Sequence, residues 1–154
     1  PGKDTPGVLQ NRPHVLQEIG RLTKRYRRHG RPFSLITVYI HNLDWFEATL
    51  GLKTGNAVLG YAADFIRAHI REVDVWYLCA PNTYLIIADE MDAETARILV
   101  ERLAAKSKET KFVAGTDRMV LEMSFRTATC PNDGVDADAL LQAAGFPAVK
   151  TPQT

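Results

Sequence analysis

The sequence has little of several features that would assign it to a specialised class of protein. Its net charge at pH 7 is only +1, so it lacks the basic field that general nucleic-acid binding requires. Only two of its 154 residues are cysteine. Cys79 and Cys130 have no metal-ligand spacing and form no disulfide framework, so we predict two buried, reduced thiols. No apolar run approaches membrane-spanning length, and no stretch resembles a secretory signal.

The sequence does contain an alternation of helical and strand-like segments. Hydrophobic residues recur at helical spacing over residues 13–28, 43–50, 55–71, 92–105 and 136–144. Apolar runs rich in β-branched and aromatic residues predict strands at 33–40, 73–79, 84–88, 111–114 and 119–129. Turn residues at 80–83 and 115–117 predict two hairpins. This order predicts an α/β (α+β) fold with a mixed sheet and helices on its faces, in one domain over 1–150 with a tail at 151–154.

Three phrases stand in the order and at the distances of one known family. They consist of Asp4, Leu9, Asn11 and Arg12, then Gly51 and Gly55, and finally Pro131, Asp133 and Gly134 followed by Ala137 to Leu141. On these residues the chain resembles a GGDEF domain, the catalytic module of diguanylate cyclases, over nearly its whole length. The resemblance implies a five-stranded mixed central sheet wrapped by helices, related to the polymerase palm and to adenylyl cyclases.

The positions that carry the cyclase reaction in that family hold different residues here. The resemblance places them on Tyr39 and His41, on Glu47 and Asn56, and, for the signature itself, on Ala80, Pro81, Asn82, Thr83 and Tyr84. Joining two GTP molecules needs a divalent metal, and magnesium is held by carboxylates and phosphates. Tyr39 and Asn82 stand where carboxylates are expected and are neutral, so we predict no cyclase activity, no magnesium and no cofactor. We expect His41, Asp44 and Glu47 to be polar surface residues that hold no metal; a replacement metal site formed by these three is the less favoured alternative.

A second set of positions keeps the family's residues. Arg71 and Asp74 stand at the start of the second predicted strand, and Asp74 lies six residues before Ala80. The resemblance implies that they are the Arg-x-x-Asp inhibitory site, which binds cyclic di-GMP and takes a second arginine, here Arg102. Arg67, one helical turn earlier, is an additional candidate. An arginine can donate to guanine O6 and N7, and a carboxylate can accept from guanine N1–H and N2–H.

The leading hypothesis is therefore a catalytically inactive GGDEF-like receptor for cyclic di-GMP. It would relay the signal to a protein partner in a larger bacterial system, for which exopolysaccharide secretion of the Pel type is an analogy. A protein-interaction or dimerisation module that binds no nucleotide is the alternative, and a residual cyclase or GTP-binding regulator comes third. A dimer, including one formed through the ligand, stays open. We expect a cytoplasmic domain cut from a longer protein, and anchoring of that parent at the inner membrane stays open.

Overall fold

A computed structural model describes residues 11–114 and 117–146, which form five helices and six strands. Asp4 and Leu9, from the first of the three family phrases, lie outside the described residues. The helices are α1 (Arg12–His29), α2 (Leu43–Leu50), α3 (Leu52–His69), α4 (Ala93–Glu109) and α5 (Ala137–Ala143). The strands are β1 (Phe33–Ile40), β2 (Val75–Ala80), β3 (Thr83–Ala88), β4 (Lys111–Ala114), β5 (Asp117–Val120) and β6 (Met123–Cys130). In the described ranges, no helix is both long and apolar enough to cross a membrane.

The central sheet has the strand order β2-β3-β1-β6, and each neighbouring pair is antiparallel. β1 is buried at every position except Tyr39, because strands flank it on both sides and helices cover both faces. Alternating side chains of the sheet enter two hydrophobic layers. One layer contains Ile36 and Phe65 with residues of α2 and α4, and the other contains Leu35 and Ile19 with residues of α5. The predicted α+β class, with helices on the sheet faces, is confirmed.

The sheet itself differs from the expected five-stranded mixed sheet, since within residues 11–114 and 117–146 four strands form it and all their pairings are antiparallel. β4 pairs with β5 in a separate two-stranded ribbon instead of joining the centre. The single strand predicted over 119–129 is also divided. Asn42 causes this division, because its side chain donates to the Val120 carbonyl at 3.2 Å and accepts from the Glu122 N–H at 3.0 Å. These contacts occupy backbone groups that would otherwise continue the ladder.

The end of α3 differs from the sequence prediction in a way that matters for the candidate site. The helix ends at His69, and Ile70 is extended, with φ −112° and ψ 166°. Arg71 therefore lies beyond the helix and not in its last turn. The reason is local: the Arg71 N–H donates to the Asp74 carboxylate at 2.9 Å, which replaces a helical hydrogen bond and turns the chain towards β2.

Both cysteines are buried and free, as predicted. Burial raises the pKa of the Cys79 thiol to about 12. The Cys79 thiol is therefore protonated at neutral pH and is a poor nucleophile.

Candidate functional site

The open end of the β2–β3 hairpin holds an arginine fixed by a buried carboxylate. Asp74 lies just before β2, and its side chain is 1% exposed. Its Oδ2 accepts from the backbone N–H of Arg71 at 2.9 Å and from Arg71 Nε at 3.3 Å. Its Oδ1 accepts from Arg71 Nη2 at 2.9 Å. This two-pronged pairing fixes the plane of the guanidinium, while the Arg71 side chain stays 47% exposed to solvent.

Asp89, directly after β3, connects this arginine to α1. Its backbone carbonyl accepts from Arg71 Nη2, and its carboxylate pairs with Arg25 of α1. The hydrogen bond from Arg25 is the main reason that the pKa of the Asp89 carboxyl is lowered from its ordinary value. The ion pair is mostly shielded, with the Arg25 side chain 18% and the Asp89 side chain 24% exposed. The open end of the hairpin is thus tied to the first helix.

A groove with two lobes surrounds Arg71 and Asp74. The Trp76 lobe, of about 360 Å³, is lined by Arg67, Ile70, Arg71, Glu72, Asp74 and Trp76. The Arg102 lobe, of about 180 Å³, is lined by His69, Ile70, Arg71, Asp74, Met91, Thr95, Ile98, Leu99 and Arg102. The two lobes share Ile70, Arg71 and Asp74. The structure therefore brings together all four residues that the sequence singled out for ligand binding.

The geometry changes the role expected of Asp74. Three hydrogen bonds from Arg71 occupy its carboxylate, and almost none of the side chain reaches solvent. Asp74 borders both lobes, but its carboxylate oxygens are occupied by Arg71, so in this arrangement it orients that arginine. The exposed acidic residue among those that line the Trp76 lobe is Glu72.

The opposite end of the same hairpin holds the residues that the resemblance aligns with the cyclase signature. Asn82 donates from Nδ2 to the Ile40 carbonyl at 3.4 Å and accepts from the Thr83 hydroxyl at 2.9 Å. Ala80 and Thr83 pair across the two strands, and Pro81 is exposed in the turn. The Tyr84 hydroxyl is turned inward and donates to the Leu59 carbonyl at 2.9 Å. The side chains of Asn82, Thr83 and Tyr84 therefore form their hydrogen bonds within the protein.

Tyr39 and His41, at the end of β1, are also occupied by protein contacts. The Tyr39 hydroxyl points to the Ala144 carbonyl at 3.5 Å and leaves no room for a Cβ atom on Gly145. The rings of Tyr39 and His41 are stacked with centroids 6.0 Å apart. His41 Nε2 lies 2.5 Å from the Ser124 hydroxyl.

The remaining positions of this region do not assemble a metal site. Glu47 lies across Gly55, where its Cγ fills the space that a side chain would need, and Asn56 is exposed. Over residues 11–114 and 117–146, no three His, Cys, Asp or Glu side chains are placed to hold a metal ion together. The alternative set of His41, Asp44 and Glu47 is therefore not formed. The neutral donors Tyr39 and Asn82 do not fit the magnesium that the fold family implies.

The sequence model of the family described as "Diguanylate cyclase, GGDEF domain" matches residues 3–147. The chain belongs to the GGDEF domain family. It is 27% identical over 138 residues to the cyclic di-GMP phosphodiesterase NbdA of Pseudomonas aeruginosa, a match that covers 90% of this chain and 18% of NbdA. The chain spans about a fifth of the length of the curated relatives it matches.

Solved GGDEF domains share the fold of this one. The FimX GGDEF domain from Pseudomonas aeruginosa superposes with a TM-score of 0.80 at 19% identity and covers 96% of this chain and 91% of its own. The GGDEF domain of DgcB from Caulobacter crescentus, solved in complex with c-di-GMP, gives a TM-score of 0.77 at 17% identity, with 92% and 82% covered. These likenesses establish the shared architecture.

Sequence reasoning about this GGDEF domain missed several residues of the groove. Trp76 falls within the strand predicted over 73–79, and a strand prediction does not reveal that this residue lines a cavity with Arg67. Asp89 and Arg25 carry no motif and meet across 64 positions of the chain. His69, Ile70 and Glu72, which neighbour Arg71 in the sequence, could have been found by proximity.

Proposed function

We propose that this GGDEF domain is a catalytically inactive receptor for cyclic di-GMP, which binds in the two-lobed groove. The observation that carries the proposal is the placement of Arg67, Arg71 and Arg102 along one groove, with Arg71 held by a buried carboxylate. Binding would change the contacts of this domain with a protein partner in a larger bacterial system. Exopolysaccharide secretion is the analogy for that system.

The chemistry of the groove suits a ligand with guanine bases and phosphates. A guanidinium donates two parallel hydrogen bonds to guanine O6 and N7 or to a phosphate, and its flat face stacks on bases. Arg71 is already held in one orientation by Asp74, so less conformational entropy is lost on binding. Arg102 is exposed on α4, and no hydrogen bond or ion pair occupies it among the described residues. Its donors are therefore available to the ligand.

The proposal of inactivity depends on the other end of the hairpin. Cyclase chemistry needs metal ions to neutralise charge that develops on the transferred phosphate. Tyr39 and Asn82 supply no carboxylate, and their polar atoms contact the protein backbone or neighbouring side chains. We infer that this region binds no magnesium and forms no product.

Similarity to the DgcB GGDEF domain supports cyclic di-GMP as the ligand. The DgcB GGDEF domain was solved in complex with c-di-GMP, and its fold matches this chain over 92% of the length. A domain of this architecture therefore offers a surface that can bind the dinucleotide. The local support in this chain is its own arginine arrangement.

Isothermal titration calorimetry with cyclic di-GMP tests the receptor. We expect a Kd in the micromolar range or lower, which corresponds to about 8 kcal/mol. Arg71→Ala should weaken binding about tenfold, because Nη1 is the guanidinium nitrogen that Asp74 and Asp89 leave free to donate a charged hydrogen bond to the ligand. Arg97→Ala is the matched control, because Arg97 is an exposed arginine of α4 that does not line the groove. No heat at about millimolar ligand would overturn the proposal and favour an interaction module that binds no nucleotide.

A turnover assay with GTP and magnesium tests inactivity separately. We expect no cyclic di-GMP above the background of a protein-free sample, because the metal-binding carboxylates are missing. A known active diguanylate cyclase in the same buffer is the positive control. Product formed by this chain would show that Tyr39 and Asn82 do not abolish the reaction.

A further inference from the structure

The Trp76 lobe has an aromatic wall that the Arg-x-x-Asp motif does not explain. Trp76 lies on β2, an edge strand, and its ring meets the Tyr84 ring edge-on with centroids 5.6 Å apart. The guanidinium carbon of Arg67 lies over the Trp76 ring, 5.6 Å from its centroid. Such an arrangement is a cation–π contact, and it holds the arginine against the wall of the lobe.

Arg67 is held in place but is not enclosed. Its Nη1 donates to Asp64 at 2.9 Å, and its side chain is 65% exposed. A hydrogen bond from Nη1 lies in the plane of the guanidinium, so it leaves the flat faces of the group unobstructed. The guanidinium has the Trp76 ring on one side, and because 65% of the side chain is exposed, Arg67 also presents surface to solvent and to the lobe that it lines.

We propose that Arg67 and Trp76 form a stacking subsite for one purine base of the ligand. The base would lie on the solvent-facing side of the Arg67 guanidinium, giving a layered stack of Trp76, Arg67 and base. Stacking between bases and aromatic or guanidinium planes tolerates any base, so this pair supplies affinity more than discrimination. The inference rests on the proposed function, because it assigns a role within the same groove.

Glu72 supplies the discrimination between guanine and adenine in this subsite. Glu72 is exposed and lines the Trp76 lobe, whereas the carboxylate of Asp74 is occupied by Arg71. A carboxylate accepts from the N1–H and N2–H of guanine, and adenine lacks that pair of donors. The subsite therefore combines a stacking platform with one acceptor at its rim.

Tryptophan fluorescence provides a direct readout of ligand binding beside Trp76, because the chain has only two tryptophans, Trp45 and Trp76. In a Trp45→Phe background, Trp76 is the sole tryptophan emitter. We expect saturating cyclic di-GMP to change Trp76 emission with the same Kd that calorimetry gives. We also expect Arg67→Gln and Trp76→Leu each to weaken binding about tenfold, a typical effect of losing one stacking contact.

Arg97→Gln is the matched control for Arg67→Gln. Both arginines are exposed and pair with an acid three positions earlier, but only Arg67 lines the lobe. Arg67→Gln also keeps the result interpretable if Trp76→Leu fails to fold, because the Arg67 side chain is largely in solvent. The subsite would be overturned, and the receptor left intact, by wild-type affinity in Arg67→Gln and Trp76→Leu together with unchanged Trp76 emission at saturation in the Trp45→Phe chain. If the wild-type chain binds no cyclic di-GMP, the receptor and the subsite fall together.

The role of Glu72 is tested by the ratio of the Kd values for cyclic di-AMP and cyclic di-GMP. We expect Glu72→Gln to reduce this ratio about tenfold, because the amide cannot accept from both guanine donors as a carboxylate does. An unchanged ratio would show that another group reads the guanine edge.

Discussion

The two ends of the β2–β3 hairpin lie roughly 20 Å apart, as six residues at about 3.3 Å per residue require. At the turn end, Tyr39 and Asn82 direct their polar atoms to backbone carbonyls and to neighbouring side chains. At the open end, the buried carboxylate of Asp74 pairs with Arg71, and the Arg71 side chain remains about half exposed. Both ends are polar, and the open end presents the charged donors of Arg67, Arg71 and Arg102 to a cavity.

The comparison shows why a polar residue is not by itself a site. A group whose hydrogen bonds are satisfied within the protein gains little from a ligand, because binding would first break those bonds. At the turn end the polar atoms are used internally, whereas at the open end a buried acid holds a cation that still faces solvent. Three variants test this difference through the free energy of unfolding, measured by urea denaturation.

Gly145→Ala should have the largest effect and probes the turn end. Gly145 has φ +101°, a conformation that an alanine adopts only under strain, and a Cβ atom there would collide with the Tyr39 hydroxyl. We expect the free energy of unfolding to fall by about 3 kcal/mol, from overpacking and backbone strain together.

Tyr39→Phe in the same chain separates the two causes. It removes the colliding oxygen, so the double variant should recover part of the loss while the backbone strain remains. An unchanged stability in Gly145→Ala alone would show that the Tyr39 ring is not packed against this glycine.

Asp74→Ala should have the intermediate effect and probes the open end. The change removes three hydrogen bonds to a buried carboxylate and leaves the Arg71 N–H without its partner. We expect a loss of about 2 kcal/mol. Glu72→Ala, at an exposed neighbouring acid, should change the stability by less than about 0.5 kcal/mol. Equal effects of the two variants would contradict the buried, anchoring role of Asp74.

Asp89→Asn should have the smallest effect of the three on the free energy of unfolding, and this effect should depend on pH. Arg25 lowers the pKa of Asp89 in the folded chain below its ordinary 3.8, so the ion pair stabilises the fold fully above that value. This contribution is lost as the pH falls through the lowered folded-state pKa. We expect the variant to cost up to about 1 kcal/mol at pH 7 and to show a weaker acid dependence than the wild type. Parallel acid profiles for the two chains would rule out the Arg25–Asp89 pair as a stabilising contact.

Local patterns predicted much of the fold. The bounds of β1 and α2 matched, because an unbroken apolar run and a short amphipathic segment before Gly51 depend on nearby residues alone. The prediction of one strand over 119–129 was wrong, since the Asn42 side chain that interrupts it is some 80 positions away. The Arg-x-x-Asp spacing located Arg71 and Asp74, but it did not show that Arg71 occupies the Asp74 carboxylate.

The sequence by itself determined the α+β alternation and the family phrases, because each is a property of residue type and spacing. The tertiary structure decided that Asp74 turns inward to Arg71, that Arg67 lies over Trp76, and that Asp89 joins the groove to α1. The physical reason is that these contacts join separate elements. Their geometry follows from how α1, α3 and the hairpin pack, and spacing along the chain does not encode it.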